Sequence, residues 1–219
     1  MDKILRCGLM NNFNFTKAEF KALKKYEDEY RIFVNSNASV KLDGNIPAII
    51  TINPKLDKFV KPTGKLKIIK AARVKYVSGA TQIVKKAFDK SIKWCHEKKI
   101  PALITYMRFS KKIDLHKYTD DASNYAWTGG YFRQKKLKTW KDKGIHYCDL
   151  LKEGCPSCMN CAKLTFGMNK AELYGVNLSA SGMCKMGCPN CFAQRMIPVF
   201  GITFDNPTKN RKQKGMKHK

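Results

Sequence analysis

Acidic residues are scarce in this chain of 219 residues. It carries 17 Asp and Glu against 43 Lys and Arg, for a formal net charge of +26. Such a charge repels itself unless a partner neutralises it, and nucleic-acid phosphate is the usual partner, with an anionic membrane surface as the main rival. A metal-dependent nuclease is disfavoured, because its site needs several convergent carboxylates.

Long apolar runs are also missing. No stretch of eighteen apolar residues occurs, so the sequence predicts no transmembrane helix and no membrane partner. The start, MDKILRCGLMNNFNF, lacks the apolar stretch of a secretory signal. We therefore expect a cytoplasmic, reducing compartment, in which clustered cysteines indicate a metal more often than disulfides.

Several catalytic patterns are absent. The sequence contains no G-x-x-x-x-G-K-[ST] loop, no G-x-S-x-G and no H-E-x-x-H. These absences argue against a P-loop nucleotide site, an α/β-hydrolase serine and a zinc protease. No H-x-E accompanies the cysteines either, although His146, two residues before Cys148, could join a metal site or be structural.

The apolar patterning predicts helices and strands. Thr16 and Glu19 form a capping-box pattern, which predicts a helix over 17–29. Helical spacing of apolar residues predicts a second helix over 79–99. Apolar runs predict strands at 30–35, 38–43, 47–53 and 65–77, the last with a bend at its alanines.

A short apolar motif recurs along the chain. IPAIIT at 46–51 returns as IPALIT at 100–105 and more loosely as IPVFGIT at 197–203. Such runs are typical of buried strands, and a helix between two of them is typical of a βαβ crossover. The sequence predicts an α/β (or α+β) fold: a mixed sheet with two main helices and a C-terminal cysteine-rich metal module.

Composition divides the chain into three parts. We expect a basic α/β body over 1–145, a cysteine-rich module completing the sheet over 146–205, and a disordered basic tail over 206–219. Seven of the nine cysteines lie between 148 and 191. The isolated Cys95 is predicted to be a small core residue.

Two C-P-x-C turns predict a metal site. They are GCPSC at 154–158 and GCPNC at 187–191, and each turn can direct two thiolates at one cation. Cys161 extends the first turn to a triplet and Cys184 extends the second. The candidate ligands are Cys155, Cys158, Cys161, Cys184, Cys188 and Cys191.

These cysteines resemble two known families. The paired C-P-x-C turns resemble the knuckles of zinc ribbons, which implies structural zinc. CKMGCPNCFA resembles the C-x3-C-x2-C motif of the radical S-adenosylmethionine superfamily and of related small phage-encoded proteins. That resemblance implies a [4Fe–4S] cluster on Cys184, Cys188 and Cys191, with one iron open to S-adenosylmethionine. Because 28 residues follow Cys191, it also implies a permuted (β/α) barrel built from the preceding residues.

An aromatic and basic segment predicts contact with nucleic acid. Within YAWTGGYFRQKKLKTWK, flat rings alternate with cations, as in proteins that bind single strands or structured nucleic acid. The alternative is a hairpin with aromatics packed inward and lysines merely exposed. The candidate contacts are Trp127, Tyr131, Arg133, Lys135, Lys136, Lys138 and Trp140.

Three functional interpretations remain from the sequence. The leading one is a zinc-stabilised, basic nucleic-acid-binding protein that acts on DNA or RNA and, if it is phage-encoded, acts in the host cytoplasm. The alternative is an iron–sulfur enzyme of the radical S-adenosylmethionine type. The third is a phage structural or host-interaction protein whose charge serves packaging.

Overall fold

The computed structural model describes residues 3–8, 13–53, 58–110, 112–128, 131–135, 146–147, 160–168 and 172–176. The architecture is mixed α/β, with a curled parallel sheet and few helices. None of the helices in these ranges is long and apolar enough to cross a membrane.

Within the described ranges, the main sheet has seven strands in the spatial order β10-β7-β6-β4-β2-β1-β11, and every pairing is parallel. Strands β1, β2, β4, β6 and β7 form its centre. The last two strands in the chain, β10 and β11, each lie at one edge. The strands are β1 Lys3–Cys7, β2 Arg31–Asn37, β4 Ala48–Ile52, β6 Ile69–Tyr76, β7 Ala102–Tyr106, β10 His146–Tyr147 and β11 Glu172–Val176.

The helices begin where the sequence predicts them. Helix α1, Lys17–Leu23, starts with the complete capping box of Thr16 and Glu19. A 3-10 turn at Lys24–Tyr26 follows it, so the α-helix is shorter than the predicted 17–29. Helix α2, Gln82–Glu97, connects β6 to the parallel strand β7 and forms a βαβ unit with them, so the strand before the helix is β6 and not the IPAIIT strand β4.

The third helix lies on the other face of the sheet. Trp94 and Cys95 of α2 pack against alternate strand residues such as Val74 and Ile104. Helix α3, Asn160–Phe166, lies between β10 and β11 in the chain and packs instead against the cluster containing Phe33. The path from β10 to β11 runs back across the sheet, so a right-handed crossover places α3 on the face opposite to α2.

The predicted mixed sheet is corrected by these pairings. The α/β class and the two main helices are confirmed, but each ladder of the main sheet within the described ranges is parallel. The predicted strand at 38–43 shrinks to β3, Lys41–Leu42, which pairs with β5, Thr63–Gly64, in a separate small sheet. The antiparallel hairpin, β8 Tyr125–Thr128 with β9 Tyr131–Gln134, is also separate.

The repeated motif lies in the sheet where it is described. IPAIIT contributes β4 and IPALIT contributes β7, with β6 between them. Pro47 and Pro101 stand directly before these strands, and their carbonyls accept bonds from Val34 N and Ala72 N. The third copy at 197–203 and the predicted tail lie outside the described residues. The pairing of β6 with β4 shifts register directly before the alanines: Ala48 pairs with Ile69 and Ile49 pairs with Ala71, which leaves Lys70 as an extra residue in β6.

Candidate functional site

Five strands present two successive layers of side chains on the face covered by α3. The first is apolar and fully buried, with one residue from each strand: Ile4, Phe33, Ile49, Ala71 and Leu103. Side chains alternate between faces along a strand, so the next residue on this face comes two positions later. These next residues are all polar. We call them the polar layer: Arg6, Asn35, Thr51, Arg73 and Thr105.

The polar layer lies at the carboxyl ends of its strands. Each member stands within three residues of the last residue of its strand. In open parallel α/β sheets and in (β/α) barrels, ligands bind outside this edge, because the loops that follow the strands converge there. The polar layer is therefore where a ligand site is expected in this topology.

Arg73 links three elements within the site. Its Nη2 donates a hydrogen bond to Oδ1 of Asn35, two strands away. The same nitrogen lies 3.7 Å from Sγ of Cys161 on α3. The guanidinium thus fixes the orientation of the Asn35 amide and holds α3 near the carboxyl edge.

Asn35 points an unsatisfied donor into this region. The residue is 4% exposed, and its Nδ2 has no hydrogen-bond partner among the described residues. Since Oδ1 faces Arg73, the amide cannot turn over without losing that bond. A buried amide donor costs about 1–3 kcal/mol when unsatisfied, so this position favours an acceptor from a ligand.

The site is strongly cationic. The polar layer contains two guanidinium groups and no carboxylate, and Arg6 is only 4% exposed. Lys75, half-buried, follows Arg73 by two residues and so lies on the same face.

Among the predicted metal ligands, only Cys161 lies within the described residues. It sits half-buried in α3 beside Arg73 and against the apolar layer. In the part of the chain that is described, no three His, Cys, Asp or Glu residues are arranged to hold a metal ion. The other five predicted ligands, Cys155, Cys158, Cys184, Cys188 and Cys191, lie outside these ranges.

The two isolated cysteines are core residues. Cys7 and Cys95 are buried on the α2 face, which confirms the prediction for Cys95. Burial raises the pKa of each thiol to about 12, and the nearby Glu19 carboxylate contributes for Cys7. Both remain neutral thiols at physiological pH, so neither is suited to bind metal or act as a nucleophile.

The predicted nucleic-acid segment forms the β8–β9 hairpin. Trp127 is 47% exposed and its ring makes an edge contact with Phe132. Tyr131 and Arg133 are half-buried and Lys135 is exposed, whereas Tyr125 is buried against Phe109. The hairpin thus has both inward-packed and exposed aromatics. Lys136, Lys138 and Trp140 lie outside the described residues.

Sequence reasoning missed the polar layer. The signal was present, because a polar residue interrupts the apolar run two positions after a buried one in ILRC, IFVN and AARV. In a strand buried on both faces, such a polar residue interrupts the apolar surface on one face only, at one position along the strand. Only the packing of Ile4, Phe33, Ile49, Ala71 and Leu103 in one cluster shows that the interruptions follow a common apolar layer on one face of the sheet.

Comparisons with protein-family models, with curated proteins and with solved structures find no match to this chain.

Proposed function

We propose that this chain is an iron–sulfur enzyme that uses S-adenosylmethionine, with its reaction site at the carboxyl edge of the parallel sheet. One observation carries the proposal. Strand β11 lies beside β1 in the sheet, and the C-x3-C-x2-C segment begins eight residues after the end of β11, at Cys184.

The strand order supports this assignment. The motif resemblance requires a parallel arrangement built from residues that precede the cysteines. Starting at β11, the neighbouring strands are β1, β2, β4, β6, β7 and β10, which follow in chain order. The strand before the motif therefore takes the first place in a permuted series of parallel strands, and the motif follows its carboxyl end.

The donor chemistry also supports the proposal. Three thiolates at this spacing match a [4Fe–4S] cluster with one open iron, and Asn35 at the carboxyl edge supplies an unsatisfied amide donor for a ligand. When bound, the cluster supplies the electron that S-adenosylmethionine chemistry requires. The chain's own part is to orient ligands through Arg73 and Asn35 and to exclude water with α3.

The direct test is anaerobic purification of the full chain. The proposal predicts a brown protein with broad visible absorption, about four irons per chain for a [4Fe–4S] cluster, and a spectrum that S-adenosylmethionine perturbs. S-adenosylhomocysteine, which lacks the sulfonium, serves as the control ligand. A colourless protein that carries stoichiometric zinc and ignores S-adenosylmethionine would overturn the proposal.

A second candidate function rests on a separate observation. The exposed ring of Trp127 and the neighbouring Lys135 lie on a hairpin outside the main sheet, in a protein of net charge +26. This supports nucleic-acid binding through stacking and phosphate contacts, with zinc on the C-P-x-C turns. The two metal assignments exclude each other, because both use Cys188 and Cys191, but nucleic-acid binding through the hairpin is compatible with either.

A further inference from the structure

We propose that one face of the β8–β9 hairpin is a binding surface for single-stranded nucleic acid, formed by Tyr131, Arg133 and Lys135. We call these three residues the basic face. The inference rests on the second candidate function, nucleic-acid binding, and specifies the face of the hairpin and the type of strand. Single-stranded DNA and RNA both fit, because they share the flat bases and the phosphates that such residues bind.

Strand alternation places the three side chains together. They stand two positions apart along β9, and side chains at that spacing point to the same side of a strand. Lys135 follows the last residue of β9, but its backbone nitrogen donates a hydrogen bond of 2.7 Å to the carbonyl oxygen of Asn124, which continues the pairing with the chain before β8. The cross-strand neighbours on this face, Thr128 and Ala126, are small, so they cover little of the ring and of the guanidinium.

The opposite face of the hairpin packs on the protein. Tyr125, Trp127 and Phe132 lie on that face, because they alternate with the basic face along the two strands. The buried ring of Tyr125 packs against Phe109, and Phe132 exchanges two backbone hydrogen bonds with Phe109. The basic face is therefore the side of the hairpin directed away from this apolar cluster.

The hairpin is fixed at the carboxyl edge of the main sheet. Ser78 follows the end of β6 by two residues, and its backbone nitrogen donates a hydrogen bond of 3.0 Å to the Tyr125 hydroxyl. The Ser78 hydroxyl accepts a bond of 3.1 Å from Nδ2 of Asn124. The hairpin is thus held beside the edge at which the reaction site is proposed.

Two cations of the basic face are available to phosphates. Among the described residues, neither Arg133 nor Lys135 forms an ion pair, and Nε of Arg133 has no hydrogen-bond partner. The residues that share this face of the hairpin include no Asp or Glu. Phosphate oxygens suit these donors, because an arginine fork binds two oxygens at once and a lysine binds one as a point charge.

The rings favour a single strand over a duplex. Tyr131 is half-buried, so part of its ring is open to a stacked base while neighbouring phosphates contact the cations. The bases of a duplex are stacked on each other, so their flat faces are closed to a protein ring. Trp127, 47% exposed, offers a ring on the opposite face. A flexible single strand can contact both faces of a hairpin, whereas a stiff duplex meets one.

The test measures binding of a fluorescent thymidine oligonucleotide of about 16 nucleotides to the full chain by anisotropy, at several salt concentrations. Arg133→Gln should weaken binding and reduce the slope of log affinity against log salt by about 0.7, the value for one phosphate contact of a single strand. Arg31→Gln removes the same charge from an exposed position at the amino end of β2 and should leave the slope unchanged.

A second pair of variants tests stacking. Tyr131→Ala should weaken binding of the single strand about tenfold, as expected for one lost base stack, and should leave binding of a duplex of equal length unchanged. Tyr131→Phe keeps the ring and should keep the wild-type affinity. Circular dichroism checks that each variant is folded. If Tyr131→Ala fails to fold, the salt slope of Arg133→Gln decides.

Three results overturn the inference while nucleic-acid binding by another surface stands. They are equal salt slopes in Arg133→Gln and Arg31→Gln, equal affinities in Tyr131→Ala and Tyr131→Phe, and a loss in Tyr131→Ala that is as large for the duplex or for phosphatidylserine vesicles as for the single strand. A wild-type protein that does not bind the oligonucleotide at low salt overturns both the inference and the second candidate function.

Discussion

Arg73 on β6 donates a hydrogen bond to Asn35 on β2, across the intervening strand β4. The bond joins two strands that share no backbone ladder, and it fixes the orientation of a buried amide at the carboxyl edge. The bond therefore stabilises the sheet and also sets the direction in which the free Asn35 Nδ2 donor points.

Replacement of Asn35 by alanine should destabilise the fold. The change removes a hydrogen bond between Asn35 and the half-buried guanidinium of Arg73, and a hydrogen bond to a charged group contributes roughly 1.5–3 kcal/mol. Urea unfolding followed by circular dichroism measures the loss. Asn45→Ala, at an exposed position in the turn before β4, should stay within about 0.5 kcal/mol of the wild type. Equal stability of the two variants would contradict the contact.

The Glu19 carboxylate should be needed as an acceptor. It is 2% exposed and accepts bonds from the backbone nitrogens of Asn14 and Thr16 and from the Thr16 hydroxyl. Glu19→Gln weakens these charge-assisted bonds and should lower the free energy of unfolding by about 1–2 kcal/mol. Glu27→Gln, exposed after the 3-10 turn, is the matched control. A loss in the control as large as in Glu19→Gln would point to net charge rather than to the cap.

Tyr125 should make stability fall at alkaline pH. Its hydroxyl accepts a bond from Ser78 N at 3.0 Å, and burial raises its pKa from 10.0 to about 12. Between these values the unfolded chain loses the proton while the folded chain keeps it, so the unfolded state binds fewer protons and stability falls as pH rises. Tyr125→Phe should be less stable near pH 8 by about 1 kcal/mol, for one lost hydrogen bond.

The difference in the free energy of unfolding between the wild type and Tyr125→Phe should then narrow from pH 10 to 12. The variant has no hydroxyl to ionise at this position, so its stability does not fall for this reason as the pH rises. Denaturant unfolding of both proteins across this range measures the difference. A gap that stays constant or widens with pH would contradict the neutral, buried hydroxyl.

Trp127 should contribute to binding of single-stranded nucleic acid. Its exposed ring can stack on a base, and such stacking contributes roughly 1–3 kcal/mol per base. Trp127→Ala should weaken binding of a fluorescent single-stranded oligonucleotide about tenfold or more without changing the salt slope, which the cations set. Lys135→Ala should instead reduce the slope by about one contact. Unchanged affinity of the Trp127→Ala protein would show that the ring of Trp127 does not contact the nucleic acid.

Local features of the fold were predictable from the sequence, whereas strand direction was not. Thr16 and Glu19 predicted the start of α1 because capping depends on residues three apart. The periodicity of 79–99 predicted α2 for the same reason. The parallel pairing of β1 with β11 joins residues about 170 positions apart, and no local pattern specifies it.

The sequence did not predict the candidate site, for a related reason. Arg6, Asn35 and Arg73 each look like one polar residue in an apolar strand, and each is common as an isolated case. Their meaning depends on tertiary packing, because Ile4, Phe33 and Ala71 pack in one cluster and these three residues each stand two positions later on the same face. The cysteine motif was readable locally, but its relation to the sheet required the position of β11.

The most direct measurement compares iron content and the response to S-adenosylmethionine in two anaerobically purified variants, Cys184→Ser and Cys155→Ser. The account predicts that Cys184→Ser loses both, because a cluster on Cys184, Cys188 and Cys191 needs each thiolate, whereas Cys155→Ser retains both. A shared zinc site on the two C-P-x-C turns predicts instead that Cys155→Ser loses its metal and Cys184→Ser keeps it. Zinc that is lost in Cys155→Ser and retained in Cys184→Ser, in a protein without iron, would contradict the account.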